Sequence, residues 1–318
     1  RQLTSGNFDH GGTPSWTPDG RHLIFSANRR DDWEYEPVDS EVWEISVADG
    51  AMRALTDRRG PDGNPVVSPD GSKIAYLGFD DRYQGYQVTR LYVMDRDGSN
   101  PRLVTGDFDR DVQDPQWAAD GKGLFFDYTT EGNGKVGYVS LSGEVETLAG
   151  DLGNSIGRPY SGGSFSVAAN GRFAFTTAPP ERPADVAVGR RGGSGATRIT
   201  DLNADLLDHK ELAAVEEIWW ESSFDGRRIQ GWVAKPPGFD PETKYPLIME
   251  IHGGPFADYG DRFSAEVQLF AAAGYVVLYA NPRGSTSYGE EFGNLIHHNY
   301  PGQDYAALMS GVDAVIAR

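Results

Sequence analysis

YPLIMEIHGGPF, residues 245–256, joins a short apolar run to His252-Gly253-Gly254-Pro255. The run LIMEI (247–251) is continuous rather than alternating, as in a strand buried on both faces. Two glycines at the end of such a strand leave backbone N–H groups with no side chain over them. A Gly-rich loop in that place can aim those groups at a developing negative charge, which is what an oxyanion hole requires. One such donor is typically worth about 2.7–4 kcal/mol in the transition state. Gly253 and Gly254 are the candidate donors, and His252 is read as a ring that fixes the loop rather than as a proton carrier.

Outward from this stretch, strands alternate with helices. IWWESSFDGRRIQGWVAKPPGF (218–239) reads as two strands around a turn at Asp225-Gly226. SAEVQLFAAAG (264–274) reads as a helix ending at Gly274. YVVLYANPRG (275–284) is another continuous apolar strand. GQDYAALMSGVDAVIAR (302–318) is a helix with Tyr305, Leu308, Met309, Val312, Val315 and Ile316 on one face. Buried strands alternating with helices predict a largely parallel α/β sheet.

The earlier part of the chain is repetitive. PSWTPDGRHLIF (14–25), PVVSPDGSKIAY (65–76), PQWAADGKGLFF (115–126) and SFSVAANGRFAF (164–175) share one pattern. Their turn glycines, Gly20, Gly71, Gly121 and Gly171, are spaced 51, 50 and 50 apart. Trp16, Val67, Trp117 or Val167 stands three residues before each turn Asp or Asn, and alternating apolar pairs such as Leu23/Phe25 follow it. Period-two alternation predicts strands with one buried face, joined tightly by a turn that ends in glycine. A third strand follows in each unit, as in EVWEISV (41–47), and a short fourth, as in MRALT (52–56). Four strands at a fixed period near fifty residues is the pattern of β-propeller blades. Arg1-Gln2-Leu3-Thr4 repeats the Arg-x-Leu-Thr of Arg53–Thr56, so the chain is expected to open inside the last strand of an earlier blade, with more blades upstream. The expected division is propeller blades over 1–203, a polar and acidic linker over 204–217, and an α/β domain over 218–318.

Composition narrows the function classes. Of 318 residues 40 are glycine, against a usual share of about 7%. The 29 basic and 47 acidic residues leave a net charge of −18. That balance argues against a nucleic-acid partner, because little would neutralise the phosphates, and against an anionic membrane surface. There is no cysteine, which excludes disulfides, thiolate catalysis and Cys-based zinc sites. No apolar run approaches the roughly 18 residues of a membrane span. His297-His298 has no third ligand at a useful spacing, so neither a metal nor a cofactor is expected.

Repeats followed by an α/β sheet with His-Gly-Gly-Pro after a strand resemble the prolyl oligopeptidase family, most of all its bacterial acylaminoacyl-peptidase and dipeptidyl-peptidase members. WTPDGRHLIF resembles a blade, and IQGWVAKPPGF the leading strand of the catalytic domain. IHGGPFADYGDRF resembles the oxyanion loop, YANPRGSTSYGEEF the Asn-x-Arg-Gly-Ser loop, and YPGQDYAALMSGVDAVIA the helix before the nucleophile elbow. The resemblance covers the whole chain, with its specific part in the second half. It implies an all-β propeller followed by the N-terminal part of an α/β-hydrolase domain, and a serine peptidase acting on short peptides through an acyl-enzyme.

In that family Ser, Asp and His follow in this order after the helix that here ends at Arg318. No member of the triad is then expected in the chain, none of the six histidines is the catalytic base, and the chain alone is expected to be inactive without the remainder of the polypeptide. Phe256, Arg283 and Tyr288 are candidates for the substrate pocket, with Arg283 better suited to holding a loop through carbonyls or a carboxylate. Glu216-Glu217 reads as linker charge, and the acidic, aromatic loop RRDDWEYEPVDSE (29–41) as a candidate for substrate contact. A non-catalytic propeller resembling that of the Tol system fits the repeats but gives no reason for IHGGPFADYG. An esterase on the same scaffold would share the oxyanion chemistry. The compartment, cytoplasmic or periplasmic, and the oligomeric state, a homo-oligomer included, stay open.

Overall fold

The computed structural model describes residues 1–154 and 157–318, and they divide into two compact units. The first gathers Arg1–Tyr128, Val136–Thr147 and Val167–Gly171, and the second Thr129–Lys135, Leu148–Ser166 and Arg172–Arg318.

The repeats fold into antiparallel meanders. The first is β1 (Asp9–Trp16), β2 (His22–Asn28), β3 (Glu41–Ser46) and β4 (Met52–Ala54). The second is β5 (Asp62–Val67), β6 (Lys73–Gly78), β7 (Arg90–Asp95) and β8 (Arg102–Leu103). The third is β9 (Gln113–Trp117), β10 (Gly123–Thr130), β11 (Asn133–Ser140) and β12 (Val145–Leu152). The fourth is β13 (Phe165–Val167), β14 (Arg172–Thr177), β15 (Asp185–Arg190) and β16 (Thr197–Arg198). Leu152 pairs with Thr177, and through this pair the last two sets register as one sheet ordered β16-β15-β14-β12-β11-β10-β9, with β13 on β14.

The four repeat turns are built alike. The amides of Gly20, Gly71, Gly121 and Gly171 donate to the carbonyls of Thr17, Ser68, Ala118 and Ala168 at 2.8–2.9 Å. Each of these glycines has φ between 66° and 76°, which L side chains adopt only at a cost. Asp19 and Asp70 tie their turns further, accepting from Thr17 and Ser68 hydroxyls at 2.6 Å. The alternation read for the strands is only half of what is found. Ile24 and Phe25 are both buried, because Ile24 packs on Ile74, Tyr76 and Met94 of the next meander while Phe25 packs on Ile45 and Ala27 of its own. A sheet covered on both faces hides neighbouring residues of its middle strand alike.

After α1 (Ala204–Leu207), the second unit forms a sheet from β17 (Ala214–Glu221), β18 (Arg228–Lys235), β19 (Leu247–Ile251) and β20 (Val276–Asn281). Three helices accompany it: α2 (Ala265–Ala272), α3 (Glu290–Asn294) and α4 (Asp304–Ile316). The sheet order is β17-β18-β20-β19. Only β19 and β20 are parallel, so the sheet is mixed rather than largely parallel. The tight Ser222–Arg227 turn imposes this, since a short turn can join only antiparallel strands. One face carries Ile218, Trp220, Val233 and Leu278 with Ala307 and Leu308 of α4. The other carries Trp232, Ala234, Val277 and Tyr279 with Val267 and Ala271 of α2. Ser264 caps α2, its hydroxyl accepting from Val267 N–H. β19 is the edge of this sheet, and its residues are half-buried or exposed instead of buried on both faces.

α4 keeps Leu308, Val312 and Val315 of its expected apolar face against the core but turns the rest of that face outward. Ala307, Leu308 and Gly311 are buried, whereas Tyr305, Met309 and Ile316 are exposed. The small residues let the helix approach Trp220, whose indole N–H donates to Ala307 O at 2.8 Å. A Cβ on Gly311 would lie 2.5 Å from that ring.

Candidate active site

β19 and β20 run parallel, so the loops that follow them leave from the same end of the sheet. The carboxyl ends of parallel strands are where α/β sheets bind ligands. The loop after β19 carries His252, Gly253, Gly254, Pro255 and Phe256, and the loop after β20 carries Arg283, Ser285 and Tyr288.

His252 is buried, and Ser285 Oγ lies 2.9 Å from its Nε2. Ser285 Oγ in turn donates to Pro282 O at 2.6 Å, so the second loop braces the first. Burial pushes the imidazole below its ordinary pKa, so the ring is neutral at pH 7. Its edge-on contact with Tyr259, 5.2 Å between centroids, completes a packed seat. His252 thus has the surroundings of a brace.

Gly253 and Gly254 are exposed, but their amides differ. Gly253 N–H donates to the Tyr160 hydroxyl at 3.1 Å. Gly254 N–H has no partner among the described residues, and Gly254 sits at φ 138°, where a Cβ would meet Phe256 N at 3.0 Å. Side chains are thereby kept away from the Gly254 amide. Phe256, next along, is half-buried.

A polar web fixes the segment beyond. Thr286 N–H donates to Ala257 O at 3.0 Å, and the hydroxyls of Thr286 and Ser161 donate to Asp258 Oδ1 at 2.7 and 3.0 Å. Asp258 Oδ2 is buried with no hydrogen-bond partner, and burial raises this carboxyl's pKa. Asn281 Oδ1 accepts from Tyr259 N–H at 2.8 Å, while its amide donates at 2.8 Å to Tyr259 O and to the Tyr288 hydroxyl. Tyr288 then donates to Gln230 Oε1. Arg262, also buried, donates to Gly132 O at 2.7 Å.

The sequence-derived candidates divide accordingly. The structure brings His252, Gly253 and Gly254 together with Ser285 and Tyr160. Arg283 donates from a buried guanidinium to Asp225 Oδ1 at 2.8 Å, and Tyr288 is engaged by Asn281 and Gln230. Glu216 and Glu217 lie in β17: Glu216 pairs with Lys235 and Arg318, and Glu217 accepts from Trp219 and Gln230. The acidic loop 29–41 belongs to the first unit, where Arg30 pairs with Asp32 and Asp39. The His297 and His298 rings meet at 3.9 Å, tilted by 51°, and among the described residues no group of three or more His, Asp or Glu is placed to hold a metal. Sequence reasoning missed Tyr160, Asp258, Ser285 and Asn281. Asn281 and Ser285 lie in the quoted NPRGS motif and were within reach, but nothing local marks Tyr160.

Residues 261–318 match the model of the prolyl oligopeptidase family. Over 334 residues the chain is 32% identical to the uncharacterized peptidase YuxL of Bacillus subtilis, an alignment covering all of this chain and 49% of that protein. It is 27% identical over 305 residues to dipeptidyl-peptidase 5 of Porphyromonas gingivalis, covering 94% of this chain and 43% of the relative. The structure of Pyrococcus horikoshii acylaminoacyl peptidase shares its fold with 96% of the chain, at TM-score 0.78 and 22% identity, over 45% of its own length. The chain spans about half the length of the relatives it matches. By the family match at its carboxyl-terminal end and by relatives aligned along nearly all of it, the chain is similar to members of the prolyl oligopeptidase family.

Proposed function

We propose that the protein carrying this chain is a serine-type peptidase that cleaves short peptides through an acyl-enzyme. One observation carries the reading: Gly254 is exposed and its N–H unpaired among the described residues, in a loop where the His252 ring and Gly253 N–H are fastened. Attack on a peptide carbonyl moves charge onto its oxygen. A donor fixed in advance stabilises that charge without reorganising, which is the main source of rate in such sites. His252 and Ser285 hold the loop in place, and Phe256 is the nearest candidate for the pocket wall. The second oxyanion donor would be the amide after the nucleophile, and nucleophile, acid and base would follow in the order Ser, Asp, His. The names of the relatives, dipeptidyl-peptidase 5 and acylaminoacyl peptidase, support a peptide substrate. The meanders are proposed as blades of a β-propeller, and the mixed sheet with its helices as the leading part of an α/β-hydrolase domain; the fold shared with acylaminoacyl peptidase supports both.

The test is treatment of the full-length protein with a fluorophosphonate probe, alongside turnover of peptide p-nitroanilides. Covalent labelling of a serine together with amide hydrolysis is expected. No labelling and no turnover would sink the reading, and turnover of p-nitrophenyl esters alone would make the protein an esterase.

A further inference from the structure

The segment Gly157–Ser161 is strapped to the loop that follows the glycine pair. Gly157 O accepts from Ser264 Oγ at 2.6 Å, Pro159 O accepts from Gly260 N–H at 2.9 Å, and Ser161 N–H donates to Asp258 O at 3.1 Å. Arg158 pairs with Glu250 and Glu266, each at 3.1 Å. Tyr160 bridges to Tyr259 through the backbone, and their rings meet edge-on at 4.8 Å. Backbone and ring are held at every step of the strap, so the phenol is delivered to one place.

That place is the Gly253 amide, which donates to the Tyr160 hydroxyl at 3.1 Å. A phenol is both acceptor and donor. Here the acceptor side is used, while the hydroxyl proton has no acceptor among the described residues. Tyr160 also keeps 37% of its surface exposed, although its ring is packed on Tyr259. An unspent donor one residue along the backbone from the unspent Gly254 N–H marks a place for an anionic oxygen.

We propose that Tyr160 belongs to the acyl-transfer site, occupying Gly253 N–H so that Gly254 N–H serves as the loop's donor, and offering its own O–H to the same substrate oxygen. This rests on the peptidase reading above. The residue comes from the strap between β12 and β13, 93 positions before the glycine it holds. It thus makes the repeat region a contributor to the chemistry. The hydroxyl forms no covalent bond and transfers no proton; it donates one hydrogen bond, stronger to the oxyanion than to the carbonyl oxygen.

The test is Tyr160→Phe in the full-length protein, which keeps the ring and removes the hydroxyl. Fluorophosphonate labelling and peptide turnover of the wild-type protein come first. The variant is expected to lose about 10²-fold in kcat, the scale of one oxyanion donor, with KM within about twofold. A peptide aldehyde, bound as a tetrahedral oxyanion adduct, should weaken by a similar factor. A purely structural tyrosine would lower the unfolding midpoint without separating kcat from KM. Arg158→Ala gives that comparison, because it loosens the strap and leaves the phenol. Wild-type turnover with unchanged kcat and aldehyde affinity in Tyr160→Phe overturns the proposal and leaves the peptidase reading standing. An inert wild-type protein overturns both.

Discussion

Arg283 brings a guanidinium to a place that water hardly reaches, with 4% of the residue exposed. It donates to Asp225 Oδ1 at 2.8 Å and lies over the Phe224 ring at 5.2 Å, while its Nε is buried without a partner. The Arg283 hydrogen bond holds the Asp225 carboxyl below its ordinary pKa. Removing one member of such a pair costs more than the pair contributes, because the other is left charged and poorly solvated. Asp225→Ala is therefore expected to destabilise by about 3 kcal/mol, the low end of that class because the aspartate is partly exposed. Arg283→Met combined with Asp225→Ala should recover part of the loss. Urea unfolding of the three variants, compared at constant slope, checks this; equal losses in the single and double variants would refute it. Ser285, which braces His252, is two residues from Arg283, so Asp225→Ala should also reduce turnover.

At the scale of elements, the β10–β11 hairpin shows what a sequence discloses and what it withholds. Glu131 and Gly132 have φ of 48° and 69°, as a two-residue hairpin turn of type I′ demands. The tip is held by Ser287, whose carbonyl accepts from Glu131 N–H at 3.0 Å and whose hydroxyl accepts from Gly132 N–H at 3.1 Å. A Cβ on Gly132 would lie 2.6 Å from the Trp232 ring and 2.7 Å from Tyr259 O. Gly171 has a similar φ, but a Cβ there meets nothing within 4 Å. Gly171→Ala should thus cost only the left-handed backbone, about 1–2 kcal/mol. Gly132→Ala adds overpacking and is expected to cost about 3–4 kcal/mol. Thermal unfolding of both separates the two contributions, and equal shifts would show that the Trp232 contact is not a constraint. The repeat turns were legible because Asp, Gly and the apolar pairs act within a few residues. The extents of β19, α2 and β20 were legible for the same reason. The face of α4 is half legible: Leu308, Val312 and Val315 pack as their spacing predicts, but two small residues, Ala307 and Gly311, decide its seat against Trp220, and an apolar count favours larger side chains such as Tyr305 and Ile316, which are exposed. Tyr160 was out of reach because its partner is 93 residues away and its own neighbourhood, Arg-Pro-Tyr-Ser-Gly, reads as an ordinary loop.

For the whole molecule, buried carboxyls set how stability follows pH. Burial raises Asp127 to about 7, with Asp114 adding repulsion, and one Asp127 oxygen is buried without a hydrogen-bond partner. Burial likewise raises Glu41 to about 7, and Asp261 to about 6 beside Glu217, Glu181 and Asp151. A carboxyl with a raised folded pKa binds its proton more tightly in the native state. Each then favours folding when protonated, and that contribution is lost as pH rises from about 4, the unfolded value, through 6–7. Asp225 works in the other direction, its contribution present above about pH 4 and lost as pH falls. The unfolding midpoint is therefore expected to peak near about pH 5 and to decline toward pH 8. The net charge of −18 gives a competing explanation for the same decline, through general self-repulsion. Salt separates them, because exposed charges are screened within about 8–10 Å at moderate ionic strength whereas buried ones are screened far less. A decline that survives 0.5 M NaCl and shrinks in Asp127→Asn, mainly at pH 8, assigns it to burial. A decline abolished by salt and unchanged in Asp127→Asn assigns it to net charge.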